Sequence, residues 1–437
     1  MNRRVYIETY GCQMNVRDSE LLGGLLEEAG GEIVAGPEEA DVILLNTCAV
    51  RERAEERVIG RVHQLSAVQR SRGSRLGIVG CMAQHLRERL FESLPTLDFI
   101  IGPDAYRDLP ATVLSESDEP QVLCRTDADE LYDGLPGRRE PDAVTAFVTI
   151  MRGCDRMCTF CIVPFTRGRE RSRAVDSIVA EIDELVSRGV REVTLLGQTV
   201  NAWSDNGLTF GGLLRRVGET GLDRIRFTSP HPLYFSEDEL AALAEVPAVC
   251  ESVHLPMQSG SSRILERMNR GYDRERYLAI ATRLRQEIPE LSLSTDLITG
   301  FPGETEEDFA ETLSAMQICA FDASYQFKYS PRSGTYAARK LQDDVPADLK
   351  QERLEQVIAY QRDLTARSQK RLIGRTIEVL IDGRGHRGRE QWTGRTRGAR
   401  TVVLDSSDDL RGRLVDVVVE DAGVWTLRGR LSERSAT

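Results

Sequence analysis

Three cysteines, Cys154, Cys158 and Cys161, have a spacing that suits a metal-cluster site. They form a C-x-x-x-C-x-x-C run within MRGCDRMCTFCIVPFTRGRERSR. Three thiolates this close can hold three irons of a 4Fe-4S cluster and leave the fourth iron open to a substrate or cosubstrate. Zinc is the main alternative, but it would need a fourth Cys or His nearby, and none follows in this segment. The spacing therefore predicts a 4Fe-4S cluster with an open iron.

Three more cysteines each end an apolar run early in the chain. RVYIETYGC ends at Cys12, DVILLNTC at Cys48 and RLGIVGC at Cys81. Each run is typical of a buried parallel strand, and a segment with helical spacing follows it. Because ligands bind at the carboxyl edge of a parallel sheet, we expect these cysteines to meet there as a second three-thiolate site. The other cysteines are interpreted as structural: Cys124, Cys250 and Cys319.

The middle of the chain alternates between strand and helix patterns. Residues 126–141 are acidic and contain Gly and Pro, which predicts an exposed linker. Six strand-like segments follow: AFVTIMRG, EVTLLGQ, RIRFTSP, SVHLPMQ, LSLSTDLITG and ASYQFKYSP. Six units are fewer than the eight of a closed TIM barrel, and the chemistry of such folds sits where strands end. Polar residues lie at these ends: Gln198, Asn201, Ser229, His231, Gln258, Ser259, Asp296, Lys328 and Tyr329.

After about residue 371 the alternating strand and helix patterns end. Short β-branched segments separated by Gly and Asp turns predict a small β-barrel. Its tryptophans, Trp392 and Trp425, could stack on bases or fill a core. We therefore predict an α/β protein with a parallel-sheet domain over 1–125, a linker over 126–141, a core domain over 142–370 and a β-barrel over 371–433.

Composition limits the possible classes of protein. The chain has 437 residues, a net charge of −12 and 41% hydrophobic residues. This charge argues against a protein that coats nucleic acid non-specifically. No run approaches a membrane span, and MNRRVYIETYGC lacks the apolar region of a signal peptide. We therefore expect a cytoplasmic monomer, in a reducing compartment, with no membrane partner.

Several motifs resemble one known family. GCDRMCTFCIVPFTRGRERSR resembles the radical S-adenosylmethionine (SAM) superfamily, and within it the methylthiotransferases. TYGCQMN, NTCAVRERAE and GCMAQ resemble the cysteine motifs of the methylthiotransferase N-terminal domain, which holds an auxiliary 4Fe-4S cluster. The six strand–helix units fit the partial (βα)6 barrel of the superfamily. Gly374, Gly394 and LRGRL resemble the RNA-binding TRAM domain.

The resemblance also implies contacts to SAM. Gly197 and Gln198 stand where superfamily members hold the amino group of SAM, and TDLITGFPGE, which contains Asp296, resembles the motif that packs along the adenine. Phe160 stands where an aromatic residue often lies near that adenine, and Ser229 is a further strand-end candidate. Each of these residues could instead be a cap, a turn residue or part of the core.

Four arginines follow the cysteine loop in alternation: Arg167, Arg169, Arg171 and Arg173. A charge run is usually a solvated face. Because this run lies beside the predicted cluster, its members are also candidates for contacts to RNA phosphates.

Within the family, TYGCQMN is most similar to the MiaB type, which modifies tRNA. This resemblance implies addition of a methylthio group to C2 of N6-isopentenyladenosine next to the anticodon (position 37), in the anticodon stem-loop. The cluster at Cys154, Cys158 and Cys161 would generate a radical from SAM, and the cluster at Cys12, Cys48 and Cys81 would offer sulfur. Two SAM molecules, an external electron donor and a sulfur source would take part.

Three alternatives remain open from the sequence. The substrate could be threonylcarbamoyl adenosine in tRNA or a side chain of a ribosomal protein. A protein of another class, a non-catalytic RNA-binding iron–sulfur carrier, would have the same cysteines. The chain departs from the family in SPRSGTYA, where Ser333 and Tyr336 replace frequent prolines.

Overall fold

The computed structural model describes residues 3–49, 52–115, 119–385 and 390–433, apart from the side chains of 52–54. Its first part is a parallel sheet with helices on both faces. The strands are β1 (Arg4–Tyr10), β2 (Glu32–Ile33), β3 (Val42–Thr47), β4 (Arg75–Gly80), β5 (Phe99–Ile101) and β6 (Gln121–Leu123). The helices are α1 (Gln13–Glu28), α2 (Glu52–Arg72), α3 (Cys81–Leu86), α4 (Arg89–Ser93) and α5 (Leu109–Val113).

The sheet has the order β2-β1-β3-β4-β5-β6, with every neighbouring pair parallel. Strand β3 shows why its sequence is a continuous apolar run. Val42 and Leu44 pack in the same core as α1, whereas Ile43 and Leu45 pack in the core that contains α2. Because both faces are covered, alternate residues are equally buried. The predicted parallel sheet is confirmed.

The middle of the chain forms a second α/β unit. Its strands are β7 (Thr145–Thr149), β8 (Met151–Arg152), β9 (Arg171–Ser172), β10 (Glu192–Leu196), β11 (Arg224–Phe227), β12 (Ser252–His254), β13 (Ser292–Thr299) and β14 (Ala323–Lys328). Its helices are α6 (Val163–Arg167), α7 (Val175–Ser187), α8 (Phe210–Gly218), α9 (Glu237–Glu245), α10 (Ser262–Arg267), α11 (Arg274–Glu287), α12 (Glu306–Cys319), α13 (Tyr336–Lys340) and α14 (Ala347–Lys370).

Six of these strands form an open arc in chain order. The parallel sheets β7-β10-β11 and β12-β13-β14 are joined by a parallel bridge between Ile225 and Val249. Strand β13 alternates strictly: Leu293 and Leu297 are buried in the core shared with the helices, whereas Ser294 and Asp296 are half-buried on the other face. On this strand the inner face therefore carries half-buried polar side chains, whereas the interior of a closed TIM barrel is packed. The predicted partial (βα)6 barrel is confirmed.

The C-terminal strands close into a small barrel. They are β15 (Thr376–Arg384), β16 (Gln391–Thr396), β17 (Thr401–Asp405), β18 (Leu414–Ala422) and β19 (Thr426–Leu431), in the order β15-β16-β17-β19-β18. Trp392 is 1% exposed and fills the core of this barrel, whereas Trp425 is 70% exposed. The predicted β-barrel is confirmed, and only Trp425 of the two tryptophans is available to a partner.

This small barrel packs against the amino ends of the core strands. Arg224, the first residue of β11, donates to the carbonyl of Arg395 at 2.6 Å, and Arg226 donates to the carbonyl of Thr396 at 2.7 Å. Arg397 donates to Glu251, just before β12, at 2.7 Å. The C-terminal barrel therefore lies at the end of the core opposite to the strand carboxyl ends. In the described ranges, no helix is both long and apolar enough to cross a membrane.

The segment 126–141 has no regular secondary structure, but the prediction of an exposed linker is wrong for its middle part. Glu130 is buried and accepts from Arg107 at 2.7 Å. The ring of Tyr132 stacks on Tyr106, with centroids 5.7 Å apart. The segment is held between the first two domains because its aromatic and acidic residues find partners on both.

One buried ion pair at this junction gives a test of the fold. Arg152 of β8 is fully buried and donates to Asp104 at 2.7 Å. Arg152→Leu should lower the free energy of unfolding by about 3 kcal/mol, because removing one partner leaves a buried charge. The loss should not be greater, since Arg171 still lies 3.4 Å from Asp104.

Urea unfolding followed by circular dichroism measures this change. The matched control is Arg169→Ala, because the Arg169 side chain is 82% exposed where it pairs with Asp155. An exposed pair of this kind contributes about 0–1 kcal/mol. Equal losses in the two variants would show that the junction does not depend on the buried pair.

Candidate functional site

The first cysteine loop runs from β8 to α6, above the carboxyl ends of the core strands. It begins at Gly153, whose φ is +76° and whose Cβ, if it had one, would lie 1.9 Å from the carbonyl oxygen of Arg169. Only glycine fits this turn. Cys154 and Cys158 are buried, and Cys161 is half-buried. The tight turn thus starts a loop that places the three cysteines, two of them buried, at one end of the barrel.

The surroundings of these thiols are buried and include hydrogen-bond donors to sulfur. The Sγ of Cys154 lies 3.1 Å from the Oγ1 of Thr199, and the Nη1 of Arg270 donates to the Sγ of Cys158 at 3.2 Å. Burial raises the pKa of Cys154, and burial together with the charge of Cys158 raises the pKa of Cys161 to about 12. Such thiols stay protonated at neutral pH unless a metal takes the place of the proton, so the donor set fits an iron–sulfur cluster.

The second set of cysteines meets at the carboxyl edge of the first sheet. Cys12 caps α1, Cys48 follows β3, and Cys81 is the first residue of α3. A hydrogen bond from Cys48 lowers the pKa of Cys12 to about 6, while burial raises the pKa of Cys81, with the nearby Cys12 adding to the rise. The Cys12 residue is exposed to solvent, and its thiol interacts with Cys48 and Arg167. The structure brings together the three cysteines that the strand-end pattern predicted.

A close approach of the chain at Gly11 supports this site. A Cβ at Gly11 would lie 2.7 Å from the Cβ of Cys48 and 2.4 Å from the Oδ1 of Asn15. Val50 and Arg51, which follow Cys48 in the same motif, lie outside the described residues. In the described part of the chain, no three Cys, His, Asp or Glu side chains could hold one metal ion, whereas the thiolates of a cluster each bind a separate iron.

Apolar packing and a buried arginine join the two cysteine sites: Arg167, just after the first cysteine loop, donates to Cys81, and Ile162 packs nearby. Ile162, next to Cys161, packs in one buried cluster with Ala49 and Cys81. Sequence analysis missed this contact because Ile162 is one apolar residue among many. The contact places the second site directly beside the loop of the first.

The SAM-contact candidates line the same end of the core. A Cβ at Gly197 would lie 2.6 Å from the Cγ of Met151, so this position needs glycine. The Oε1 of Gln198 accepts from the backbone N–H of Gly153 at 2.5 Å. Its Nε2 is buried and has no partner in the described residues. An unpaired buried donor beside Cys154 is suited to the carboxylate or another acceptor of a bound ligand.

The other three SAM-contact candidates make separate contacts within the protein. The ring of Phe160 packs edge-on against Phe301 at 6.4 Å. Ser229 has a φ of +60°, and its carbonyl accepts from Val200. Asp296 faces the lumen of the barrel and pairs with the Nε2 of His254 at 3.3 Å. Phe160 thus packs on Phe301 and Ser229 lies in a loop, and the predicted contacts of both residues with SAM stay predictions; Asp296 is half-buried on the lumen face.

The arginine run does not form a solvated face. Arg167, Arg171 and Arg173 are buried, with at most 9% of each residue exposed. Arg167 pairs with Asp18 at 2.6 Å and Arg173 with Glu181 at 2.7 Å. The predicted phosphate contacts are therefore wrong for these three in this arrangement, because their charges are already paired inside the protein. Arg169 alone remains exposed.

Comparison with known families agrees with this architecture. The profile of the Radical SAM superfamily matches residues 148–316. The profile described as Uncharacterized protein family UPF0004 matches residues 4–102, and that of the TRAM domain matches residues 370–432. The barrel, its cysteine loop and these matches define a radical SAM enzyme, which uses a 4Fe-4S cluster and SAM.

Curated relatives cover almost the whole chain. A protein of Bacteroides fragilis named tRNA-2-methylthio-N(6)-dimethylallyladenosine synthase is 44% identical over 98% of this chain and 95% of its own length. Proteins of the same name from Chloroherpeton thalassium and Chlorobium limicola are 46% and 43% identical, over 98% and 99% of this chain and 95% and 98% of theirs. The chain belongs to the radical SAM methylthiotransferase family.

Solved structures resemble the fold at low sequence identity. The radical SAM methyltransferase TsrM from Kitasatospora setae, solved with cobalamin and a [4Fe-4S] cluster, has a TM-score of 0.58 and 15% identity over 77% of each chain. The cobalamin-dependent radical SAM enzyme OxsB has a TM-score of 0.53 and 14% identity, over 83% of this chain and 56% of its own. Both show the arrangement of the fold alone.

The two cysteine sites predict separable losses of iron. After anaerobic reconstitution, Cys158→Ala and Cys48→Ala should each lose one cluster, about four irons per chain. Cys158→Ala should also abolish reductive cleavage of SAM, whereas Cys48→Ala should retain it. Iron assay and chromatographic detection of 5′-deoxyadenosine measure both effects.

Cys319→Ala is the matched control, because Cys319 is 3% exposed and lies in the apolar core of the barrel domain. Its iron content should equal that of the parent protein. Loss of 5′-deoxyadenosine in Cys48→Ala would contradict the assignment of SAM cleavage to the first site.

Proposed function

We propose that this methylthiotransferase adds a methylthio group to C2 of N6-isopentenyladenosine next to the anticodon of tRNA. The proposal includes two 4Fe-4S clusters and two SAM molecules. The observation that carries it is the close packing of the two three-cysteine sites, where Ile162 shares one buried cluster with Ala49 and Cys81 and Arg167 donates to Cys81. One site alone would serve many radical SAM reactions, whereas an adjacent second site suits transfer of sulfur.

The two sites divide the roles of the cysteines. Cys154, Cys158 and Cys161 would hold the cluster that binds SAM, and Cys12, Cys48 and Cys81 would hold the cluster that offers sulfur. When bound, these groups supply reductive cleavage of SAM to a 5′-deoxyadenosyl radical and a sulfur atom for methylation and transfer. An external electron donor and a sulfur source complete the proposal.

The chain itself would bind and orient the other reactants. The unpaired Nε2 of Gln198 would hold a polar group of SAM, and Gly197 and Phe160 would flank it. On the lumen face, the imidazole of His254 is held between Asp296 and Ser294, at 3.3 and 3.0 Å. The side chains of this face are polar and partly open, so they could orient a base that has left the anticodon-loop stack.

We further propose the division into domains over 1–125, 142–370 and 371–433, with 126–141 as the connecting segment. The C-terminal barrel would bind tRNA, as its TRAM match and the names of the relatives suggest. Arg169 would contact phosphate near the loop. The TRAM barrel packs at the opposite end of the core from the cysteines, so the tRNA would have to contact the protein at both ends.

The substrate can be tested directly. Purified enzyme with SAM, a reductant and a sulfur source should add methylthio to tRNA that carries isopentenyladenosine, and not to the same tRNA without the prenyl group. The physical reason is that the prenyl group offers apolar surface for burial, which is worth about 0.8 kcal/mol per CH₂. Mass spectrometry of the digested nucleosides measures the product.

The same assay separates the alternatives. The alternative substrates to be assayed in parallel are tRNA carrying threonylcarbamoyl adenosine and purified ribosomal proteins. Modification of either of these, with isopentenyl tRNA unchanged, would reject the proposed substrate while leaving the reaction class intact.

Trp425 provides a test of the C-terminal barrel. Because its ring is exposed and stacking on a base contributes about 1–3 kcal/mol, Trp425→Ala should weaken tRNA binding by about that amount without changing cluster content. Fluorescence anisotropy with a labelled full-length tRNA measures the affinity. Ile358→Ala, an exposed apolar residue on α14, is the control and should bind like the parent protein. Equal affinity of the two variants would remove the stacking role.

A further inference from the structure

We propose that Arg270 sets the order in which the two cysteine sites are reduced, by making the site at Cys154, Cys158 and Cys161 the easier one to reduce. The inference rests on the proposed pair of clusters and goes beyond it, because it concerns where an incoming electron is held. It follows from a difference in charge between two otherwise similar arginine–cysteine contacts.

Arg270 is a buried cation with no carboxylate partner in the described part of the chain. It is 5% exposed, and its Nη1 donates to the Sγ of Cys158 at 3.2 Å. Its other nitrogens donate to neutral oxygens, the hydroxyl of Tyr272 and the carbonyl of Pro256, each at 3.1 Å. Because buried charges need a counter-charge, the cysteine site itself must supply the negative charge that balances Arg270.

Arg167 makes the corresponding contact at the second site. Its Nε donates to the Sγ of Cys81 at 3.2 Å, the same distance as at the first site. Its Nη2, however, donates to Asp18 at 2.6 Å, and both side chains are almost completely buried. The hydrogen bond to sulfur is thus similar at the two sites, but only the second arginine is neutralised by an acid.

Four other charged groups lie near Cys154, two of each sign: Asp155 is paired with Arg169, and Glu170 lies near Arg156. Glu170 raises the pKa of Cys154, after the larger effect of burial, and the positive charge of Arg156 acts in turn on Glu170. The two acids and the two arginines carry equal numbers of opposite charges, so they offset one another. Arg270 therefore remains the uncompensated charge beside the first site.

A buried positive charge stabilises whichever nearby state holds one more electron. The reduction potential of an iron–sulfur cluster depends on net charge and on hydrogen bonds to its sulfurs, and such effects are strong away from water. An electron from an external one-electron donor would therefore remain at the first site, where SAM cleavage uses it. The second site would stay oxidised and available for sulfur transfer.

Redox titration followed by electron paramagnetic resonance (EPR) tests the inference. Full-length protein lacking the second site is made by replacing its three ligands with alanine: Cys12, Cys48 and Cys81. In this background, Arg270→Gln should shift the one-electron equilibrium of the remaining cluster at least tenfold towards the oxidised form, a midpoint about 59 mV lower. Arg270→Lys keeps the charge and should recover most of the shift. Arg267→Gln, an exposed neighbour on α10, should change nothing.

The second site should respond with the opposite sign. In protein lacking Cys154, Cys158 and Cys161, Asp18→Asn removes the acid that neutralises Arg167 and should raise the midpoint of the remaining cluster. A role in packing alone would not produce opposite shifts at the two sites.

The outcomes separate this inference from the proposed function. An unchanged midpoint in Arg270→Gln, with full cluster content, would overturn the inference and leave the two clusters in place. If Arg270→Gln held no cluster, the other two variants would decide. A parent-like midpoint potential in Asp18→Asn would overturn the inference. A fall in midpoint potential in Arg270→Lys as large as that expected for Arg270→Gln would also overturn it. Absence of iron from one parent site would instead reject the proposed pair of clusters.

Discussion

The buried contact between Arg167, Asp18 and Cys81 fixes the relation between the two cysteine sites. Arg167 belongs to the core domain, whereas Asp18 and Cys81 belong to the first domain. A buried ion pair of this kind gives little net stability, because the cost of removing both charges from water offsets their attraction. Its effect is geometric: the guanidinium can satisfy both partners only when the cysteine loop lies directly against the strand ends of the first sheet.

Other arginines extend this constraint across the junction. Arg152 pairs with Asp104, and Arg173 pairs with Glu181 and with Asp133 of the connecting segment. The small barrel is attached at the opposite end by a similar set of contacts from Arg224, Arg226 and Arg397. Arginine suits both junctions because its planar group donates several hydrogen bonds in fixed directions.

Much of this architecture could be predicted from the sequence. Continuous apolar runs that end in cysteine predicted a parallel sheet with Cys12, Cys48 and Cys81 at one edge, because strand direction alone determines where such residues gather. The period of the strand and helix patterns likewise predicted the terminal β-barrel and six strand–helix units, which the family resemblance identified as a partial barrel. These features depend on local patterns and on general rules of chain direction.

The remaining features depend on pairs of residues that are distant in the chain. The alternating arginines resembled a surface, since nothing near them in sequence shows that Asp18 and Asp104 would neutralise them from another domain. Arg270 lies 112 residues after the cysteine that it contacts, and its neighbours give no sign of that contact. The segment 126–141 has the composition of a loop, but Glu130 is buried and Tyr132 is half-buried against Tyr106.

The central claim is that two clusters lie side by side, separated by Ile162. EPR spectroscopy of the fully reduced, reconstituted protein tests it most directly, because paramagnetic centres so close together couple magnetically. The account predicts a spectrum that differs from the sum of the spectra of two variants, each lacking the cysteines of one site. A spectrum equal to that sum, with both clusters present and reduced, would contradict it.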